Sequence, residues 1–283
     1  MSFVRAQTRD RDEWFEVRRG GVTATDISRL MYGGKATWAA VRAEKTRRPS
    51  WSGNAYTAWG IEREPVIAKR ICADYPLKHN TDVLQKADDR RWMATPDLLD
   101  PAGALVGDIK TAVWRGRPWV SVAPNYFTQV QWQMFVTGIC EGILVVEWHD
   151  NFMPVSNDLS IYPIEYDEAH VEECVEVAEA FLATGKPSLL DTYLADYAAV
   201  VSQEQAVRES KDEVRKLIEK EIGDRDTFKH VSDAGSVTKS AGKPRQVFDT
   251  EKFKADHPDL WEQYVMEKPG TNRLTITPAK ETA

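Results

Sequence analysis

Between Arg91 and Thr111 the chain changes to a strand period and carries two charges inside an apolar run, and this segment constrains the fold more than any other. Arg91-Trp-Met-Ala-Thr95, a turn through Pro96-Asp97 and Asp100-Pro-Ala-Gly103, and then Ala104-Leu-Val-Gly-Asp-Ile-Lys-Thr111 predict a hairpin. Strand side chains alternate between faces, so Asp108 and Lys110 share one side while Gly107 and Ile109 take the other. Asp97, at the mouth of the same hairpin, is brought towards Asp108, and two carboxylates converge with one ammonium. A hard divalent cation such as Mg²⁺ takes few protein carboxylates and keeps waters or phosphate oxygens, so this pair suits it. Lys110 beside such an ion is placed to orient a water and a scissile phosphate. Taken singly, Asp97 is equally a turn residue and the Asp108/Lys110 pair a solvated strand face. The joint pattern, with Val106 and Ile109 apolar around the acid, points to a site.

The rest of the chain supplies helices around that strand pair. Trp14 to Arg18, Gly20-Gly21 and Thr23-Ala-Thr25-Asp26 before Ile27 read as a short helix, a glycine break and a capped second helix ended by Gly33-Gly34. Arg47 to Asn54 reads as an exposed polar loop. Trp59 to Tyr75 predicts a helix in which Ile61, Ala68 and Ile71 share a face. Pro124 to Gly138 has helical spacing, Ile143 to Trp148 and Ile161 to Ile164 read as strands, and Asp167 to Thr184 as an acidic amphipathic helix ended by Gly185-Lys-Pro187. This order describes a mixed α/β core with the sheet between helices. Beyond Tyr193 the composition shifts: Gln203 to Ile222 is charged and helical in register. The last sixty or so residues, with Gly235, Gly242-Lys-Pro244, Val247-Phe248 and Leu274-Thr-Ile276, suggest a small strand and helix appendage.

Composition narrows the function classes. At 283 residues with 42% hydrophobic and 29% charged residues the chain can bury a core, which excludes disorder as its main state. No apolar run approaches a bilayer span, and Met1 to Arg11 is too polar for a signal peptide, so a cytoplasmic location is expected. Cys72, Cys140 and Cys174 are too few and too scattered for a disulfide framework, a paired-cysteine zinc site or an iron-sulfur cluster. The net charge of −7 hides an asymmetry: residues 1–120 carry a balance of +6 and residues 121–283 one of −13. A polyanion belongs on the first part.

Four ordered blocks then carry a resemblance. They are Trp14-Phe-Glu-Val-Arg18-Arg-Gly-Gly-Val-Thr23-Ala-Thr25-Asp26; Ala58-Trp-Gly60-Ile-Glu62-Arg-Glu64-Pro; Ala94-Thr-Pro-Asp97 with Gly107-Asp108-Ile109-Lys110; and Tyr126-Phe-Thr-Gln129-Val-Gln131-Trp-Gln-Met134. Across about residues 10 to 182 the chain resembles the PD-(D/E)xK nuclease superfamily, and more narrowly its lambda-type exonuclease or YqaJ-like viral recombinase family. The resemblance implies a restriction-endonuclease-like core over residues 1–195: a central mixed sheet flanked by helices. A helical connector over 196–222 and a small C-terminal α+β appendage over 223–283 follow it. It also implies roles: Asp97 and Asp108 as principal metal ligands, Glu64 as the helix-borne acid completing the site, the Ile109 backbone carbonyl as a further ligand, Lys110 as the catalytic lysine, and Gln129 beside the cluster. Glu62 competes with Glu64, and two residues apart on a helix only one of them can face the site. Arg18 and Thr25 match the positions that grip the 5′-terminal phosphate, Thr25 replacing the usual serine, and Asp108 stands where the family's namesake has glutamate. Tyr126, three residues from Gln129, shares its helical face, while Trp114, Arg115, Arg117 and Trp119 are candidate DNA contacts.

The activity so implied is a Mg²⁺-dependent exonuclease, with Mn²⁺ as a possible substitute, that digests one strand of a double-stranded DNA end from 5′ to 3′. The remaining 3′ tail would feed recombination by single-strand annealing in a phage or prophage setting. A single-strand annealing protein as partner and a ring-shaped homo-oligomer, a trimer being one form, come from the resemblance alone. Two alternatives stay open: an endonuclease or DNA-repair nuclease on the same core, and a catalytically silent DNA-end-binding scaffold. Lys239, Lys243 and Arg245 are candidate DNA contacts of the appendage.

Overall fold

The computed structural model describes residues 2–6, 8, 10–46, 55–185, 188–242, 246–268, 270 and 274–277. Caps and glycines shape its N-terminal part. Strand β1 (Phe3–Arg5) precedes helix α1 (Arg11–Arg19), where the Asp10 carboxylate accepts from the backbone N–H groups of Asp12 and Glu13. Helix α2 (Ala24–Tyr32) begins with a capping box: Thr23 Oγ1 accepts from the Asp26 amide, and Asp26 Oδ2 accepts from the Thr23 amide at 2.8 Å. Gly21, between the two helices, is demanded by a close approach, since a Cβ there would lie 2.0 Å from the Arg91 carbonyl oxygen. That approach lets the Val22 amide donate to Arg91 O at 2.7 Å and Val22 O accept from the Met93 amide at 3.0 Å. Helices α3 (Lys35–Thr46) and α4 (Ala55–Asp74) follow. The loop expected over Arg47 to Asn54 lies outside the described residues.

The strands then form two sheets. Strands β2 (Lys78–His79), β3 (Leu84–Lys86), β4 (Met93–Ala94), β5 (Leu98–Leu99) and β6 (Val106–Val113) lead to helix α5 (Pro124–Thr137). Strands β7 (Glu141–Asp150), β8 (Met153–Pro154) and β9 (Ser160–Glu165) precede helices α6 (Glu168–Ala183) and α7 (Leu189–Ile222). A small sheet runs β1-β3-β4; the central one runs β2-β5-β6-β7-β8, with β9 also paired to β7. Only the β6–β7 pair of the central sheet is parallel, and α5 makes the crossover between these two strands.

The expected hairpin is therefore corrected. The residues read as its first arm, Arg91 to Thr95, supply β4, which pairs with β3 in the small sheet. The arm that does pair with β6 is two residues long, Leu98↔Gly107 and Leu99↔Val106. Pro96 lacks an N–H and cannot extend a ladder, so the chain leaves one sheet there and enters the other. Asp100 closes the turn, its carboxylate accepting from the amides of Ala102 and Ala104.

From Ile143 to Val146 strand β7 is apolar on both faces because both are covered. Leu144, Val146 and Trp148 join a core with Val130, Trp132 and Met134 of α5 and Cys174 and Phe181 of α6. Ile143 and Val145 join Ile67, Ala68 and Ile71 of α4, with Ile109 of β6. Ile61 does not belong to that buried face; it is 58% exposed and borders an open cleft. Helix α5 ends at Gly138 in the left-handed conformation, φ 70°.

By its internal contacts the chain divides into a first unit reaching Ala199 and a second over Val200–Thr277. The second holds the C-terminal part of α7, a hairpin of β10 (Phe228–Ser232) and β11 (Gly235–Lys239), and the short helices α8 (Thr250–Asp256) and α9 (Pro258–Tyr264). Helix α7 starts fourteen residues earlier than the charged stretch at Gln203 suggested. Val247, Phe248 and Leu274 to Ile276 lie in no strand or helix, and Lys243 and Arg245 lie outside the described residues. Among the described residues no helix is long and apolar enough to cross a membrane.

Candidate active site

The short arm of the hairpin creates the site. The pairing of β5 with β6 stops at Leu98↔Gly107, so the next position across the ladder sets Asp97 opposite Asp108. There the side chain replaces the backbone: Asp97 Oδ2 accepts from the Ile109 amide at 2.7 Å. In an extended strand a residue's N–H and C=O point to the same edge, so the Ile109 carbonyl also faces Asp97. Asp108 and Lys110 form an ion pair through Asp108 Oδ2. The other Asp108 oxygen, Oδ1, accepts from Gln133 Nε2 at 2.8 Å.

Three further elements meet this pair. Helix α4 brings Glu64, whose Oε1 lies 2.9 Å from His79 Nε2. Glu62 is exposed and does not line the cleft, while Arg63 between the two turns away to make a bidentate pair, 2.7 Å on each arm, with fully buried Glu147 of β7. Helix α5 brings Gln129 and Gln133, one turn apart, and Tyr126, whose ring centre lies 5.7 Å from Lys110 Nζ and stacks on Trp119. Helices α1 and α2 bring Arg18 and Thr25. The Arg18 guanidinium lies 4.2 Å from the Trp14 ring centre and donates to Thr95 Oγ1 at 3.3 Å, two residues before Asp97. Lys45 Nζ donates to the Arg18 carbonyl at 2.7 Å and pairs with Asp26 at 2.5 Å, which anchors α1 and α2 to α3.

A cleft of about 540 Å³ contains Arg18, Thr25, Glu64, Asp97, Asp108, Lys110, Gln129 and Gln133 in its walls. The residues expected from sequence to act at the cluster and at the end phosphate thus lie in one concavity. The aromatic-basic loop does not join them. Trp114 packs on the core with its ring edge-on to Trp148 at 5.8 Å, and Arg115 and Arg117 are exposed outside the cleft. Gln133, His79 and Thr95 were not anticipated. Gln133 had a signal, since it follows Gln129 by four residues on a helix; the other two contacts depend on the tertiary fold.

The electrostatics are those of a site built around positive charge. Asp10, Glu64, Asp82, Asp97 and Asp108 line the cleft against Arg18 and Lys110. Enclosure, then Asp108 and Glu64, push the Asp97 carboxyl well above the usual carboxylate range against the pull of Lys110 and the Ile109 amide. Burial alone would depress the Lys110 ammonium, but Asp108 and Asp97 outweigh it and hold the group above its ordinary value. Lys110 is accordingly a fixed cation and not a proton acceptor near neutral pH. Among the described residues no three His, Cys, Asp or Glu side chains form a ready metal cage. Two facing aspartates with a backbone carbonyl beside them, and a third acid in the same wall, fit an ion that takes one or two carboxylates and keeps its waters. The repulsion that raises Asp97 is what such an ion would relieve.

Residues 13–140 match the family model described as the YqaJ-like viral recombinase domain. That stretch is similar to the YqaJ-like domain, and every cleft residue discussed above from Trp14 to Gln133 falls within it. The chain is similar in fold to the LHK-Exo structure in complex with dAMP: 22% identity over 69% of this chain and 99% of that one, with a TM-score of 0.50. An alkaline exonuclease, LHK-Exo, from Laribacter hongkongensis matches over the same shares at 22% identity and a TM-score of 0.49. A phage related exonuclease from Haemophilus somnus 129PT matches 65% of this chain and 96% of its own at 14% identity and a TM-score of 0.43. No curated protein matches the chain at a significant level. The architecture, a curled mixed sheet flanked by helices, is thus similar to that of the LHK-Exo structure.

Proposed function

We propose that this protein is a Mg²⁺-dependent exonuclease that takes double-stranded DNA ends and removes nucleotides from the 5′-ended strand. The observation that carries the reading is the meeting of Asp97, Asp108, Lys110 and Arg18 in one cleft, with Pro96 alone between Thr95, which Arg18 contacts, and Asp97. The YqaJ-like domain and the exonuclease folds support it. Asp97, Asp108, the Ile109 carbonyl and Glu64 would hold Mg²⁺, with Mn²⁺ as a substitute. When bound, the ion supplies charge stabilisation to the phosphoryl group and lowers the pKa of a water.

The chain's own residues do the rest. Arg18 presents a guanidinium, pre-oriented by Trp14 and Thr95, to the oxygens of a terminal phosphate; Thr25 adds a hydroxyl at the start of α2. Lys110, kept protonated by its aspartates, faces the charge that builds on the scissile phosphate. Gln129 lines the same cleft, and Tyr126, three residues earlier on α5, sets its ring beside Lys110. In-line attack by water breaks the bond between phosphorus and the 3′ oxygen. It leaves a 3′ hydroxyl on the released nucleotide and a new 5′ phosphate on the shortened strand, the group Arg18 takes next.

A 3′-tailed product, its hand-over to a single-strand annealing protein, a ring of identical subunits and action within a bacterial host cell are further parts of this reading. The exposed Arg115 and Arg117 are proposed to meet the duplex backbone. The deciding assay uses end-labelled linear duplex with a 5′ phosphate or a 5′ hydroxyl, and a covalently closed circle, each with Mg²⁺ or EDTA. The expected result is Mg²⁺-dependent digestion of linear DNA alone, faster on the phosphorylated end. Arg18→Ala should lose most of that preference, roughly ten- to a hundredfold, as a charge-assisted contact of about 1.5–3 kcal/mol implies. Equal wild-type rates on both ends, or loss of label from the 3′ end first, would refute the phosphate pocket; cutting of the closed circle would favour an endonuclease.

A further inference from the structure

We infer that Gln133 is the positioning residue of the cation site: its amide fixes the Asp108 carboxylate in register for the ion. The inference rests on the metal reading above and goes beyond it to a residue buried in the cleft wall against Asp108.

Asp108 has two oxygens with separate holders. Lys110 takes Oδ2, and Gln133 Nε2 donates to Oδ1 at 2.8 Å. With Lys110 alone the carboxylate could rotate about its last bond while keeping the ion pair; a second donor on the other oxygen removes that freedom. The orientation of the amide is settled by chemistry, because the flipped amide would set its oxygen against a carboxylate oxygen. Gln133 is 2% exposed, and among the described residues its Oε1 is buried with no hydrogen-bond partner. Its amide serves Asp108, whose Oδ1, on a residue only 3% exposed, would lose a donor without it. Gln131, two positions away on the same helix, provides the contrast. It is also fully buried, but both ends of its amide are satisfied, Nε2 by Glu165 O at 2.7 Å and Oε1 by the Asp167 amide at 2.9 Å. Gln131 ties α5 to the start of α6 and has no contact with the acids. One glutamine is a fully bonded structural tie; the other spends its only hydrogen bond on the acid cluster.

The two roles separate in an experiment that needs no catalysis. Mn²⁺ binding is titrated by the loss of its free-ion electron paramagnetic resonance signal, without DNA, in wild type, Gln133→Met, Gln133→Leu and Gln131→Leu, and each melting temperature is measured in EDTA. Gln133→Met should stay folded and bind Mn²⁺ about ten- to a hundredfold more weakly, the usual effect of removing a hydrogen-bond partner of a metal ligand. Gln133→Leu should repeat the affinity loss, so misfolding of one variant does not decide the outcome. Gln131→Leu should melt lower and bind Mn²⁺ as wild type does. Wild-type affinity in both folded Gln133 variants overturns the inference while leaving the metal reading intact. A lowered melting temperature with unchanged affinity makes Gln133 a packing residue and overturns it too. A wild type that binds no Mn²⁺ removes both readings together.

Discussion

Asp97 carries the conflict on which the cleft is built. Folding encloses its carboxylate and sets it opposite Asp108, with Glu64 in the same wall, so that burial first and repulsion second oppose a charge that the unfolded chain carries freely. A carboxyl raised in the folded state lowers stability once pH exceeds its unfolded value, so the penalty is present at pH 8 and fades as pH falls through the raised value. Asp97→Asn keeps an oxygen to accept from the Ile109 amide and removes the charge. In EDTA at pH 8 this variant should be more stable than wild type by about 0.5–2 kcal/mol, a common size for a single stabilising change. It should also lose cleavage and lose the rise in melting temperature that Mg²⁺ gives wild type. A less stable Asp97→Asn in a urea titration would contradict the repulsion. At this scale the sequence was legible where the reasoning was local: Asp108 and Lys110 share a side because strands alternate, whatever surrounds them. Gln133 was not, since a glutamine among Trp132, Met134 and Phe135 acquires meaning only through an aspartate twenty-five residues earlier.

Helix α4 owes its rotational setting to Arg63. The guanidinium closes on Glu147 with two 2.7 Å bonds, and Glu147 has no exposed surface, so the neighbouring Glu64 turns to the cleft and Glu62 to solvent. Among the described residues, Arg63→Met leaves that carboxylate paired only with Arg70, 3.9 Å away. It should destabilise the protein by roughly 3–5 kcal/mol, whereas Arg63→Met with Glu147→Leu should recover most of the loss, because a packed apolar pair avoids burying a lone charge. Chemical unfolding of the single and double variants tests this; equal stabilities for the two would mean that the pair does not set the helix. Elements with long periodic patterns, α5 and β7 among them, were readable from the chain. The partner of β6 was not, because two-residue strands such as β4 and β5 have no period to detect and their register is settled by Pro96 and by contacts distant in sequence.

Across the whole molecule, the cysteines report how tightly the first unit is closed. Cys140 is exposed, while Cys174 of α6 is buried in the core that α6 shares with α2 and α5, where burial and then Glu173 push its thiol up to about 12. A thiol-exchange dye at pH 8 should therefore label Cys140 at once and Cys174 only at the rate of unfolding. Mass mapping that finds both labelled together in the native protein would show the core to be open on a faster timescale. The charge asymmetry read from composition also holds at this scale, since the cleft belongs to the part of the chain with a positive balance even though its own lining is acidic. The two-residue step from Thr95 to Asp97 has a last consequence. A chain of two residues spans no more than about 7 Å, and Pro96 holds the residue before it extended. Under the proposed function, the strand end is gripped at one end of this rod and cut at the other. The cleft is then a fixed gauge: the length removed in each cycle is set by the bond lengths of the protein backbone, the same for every base sequence that passes through.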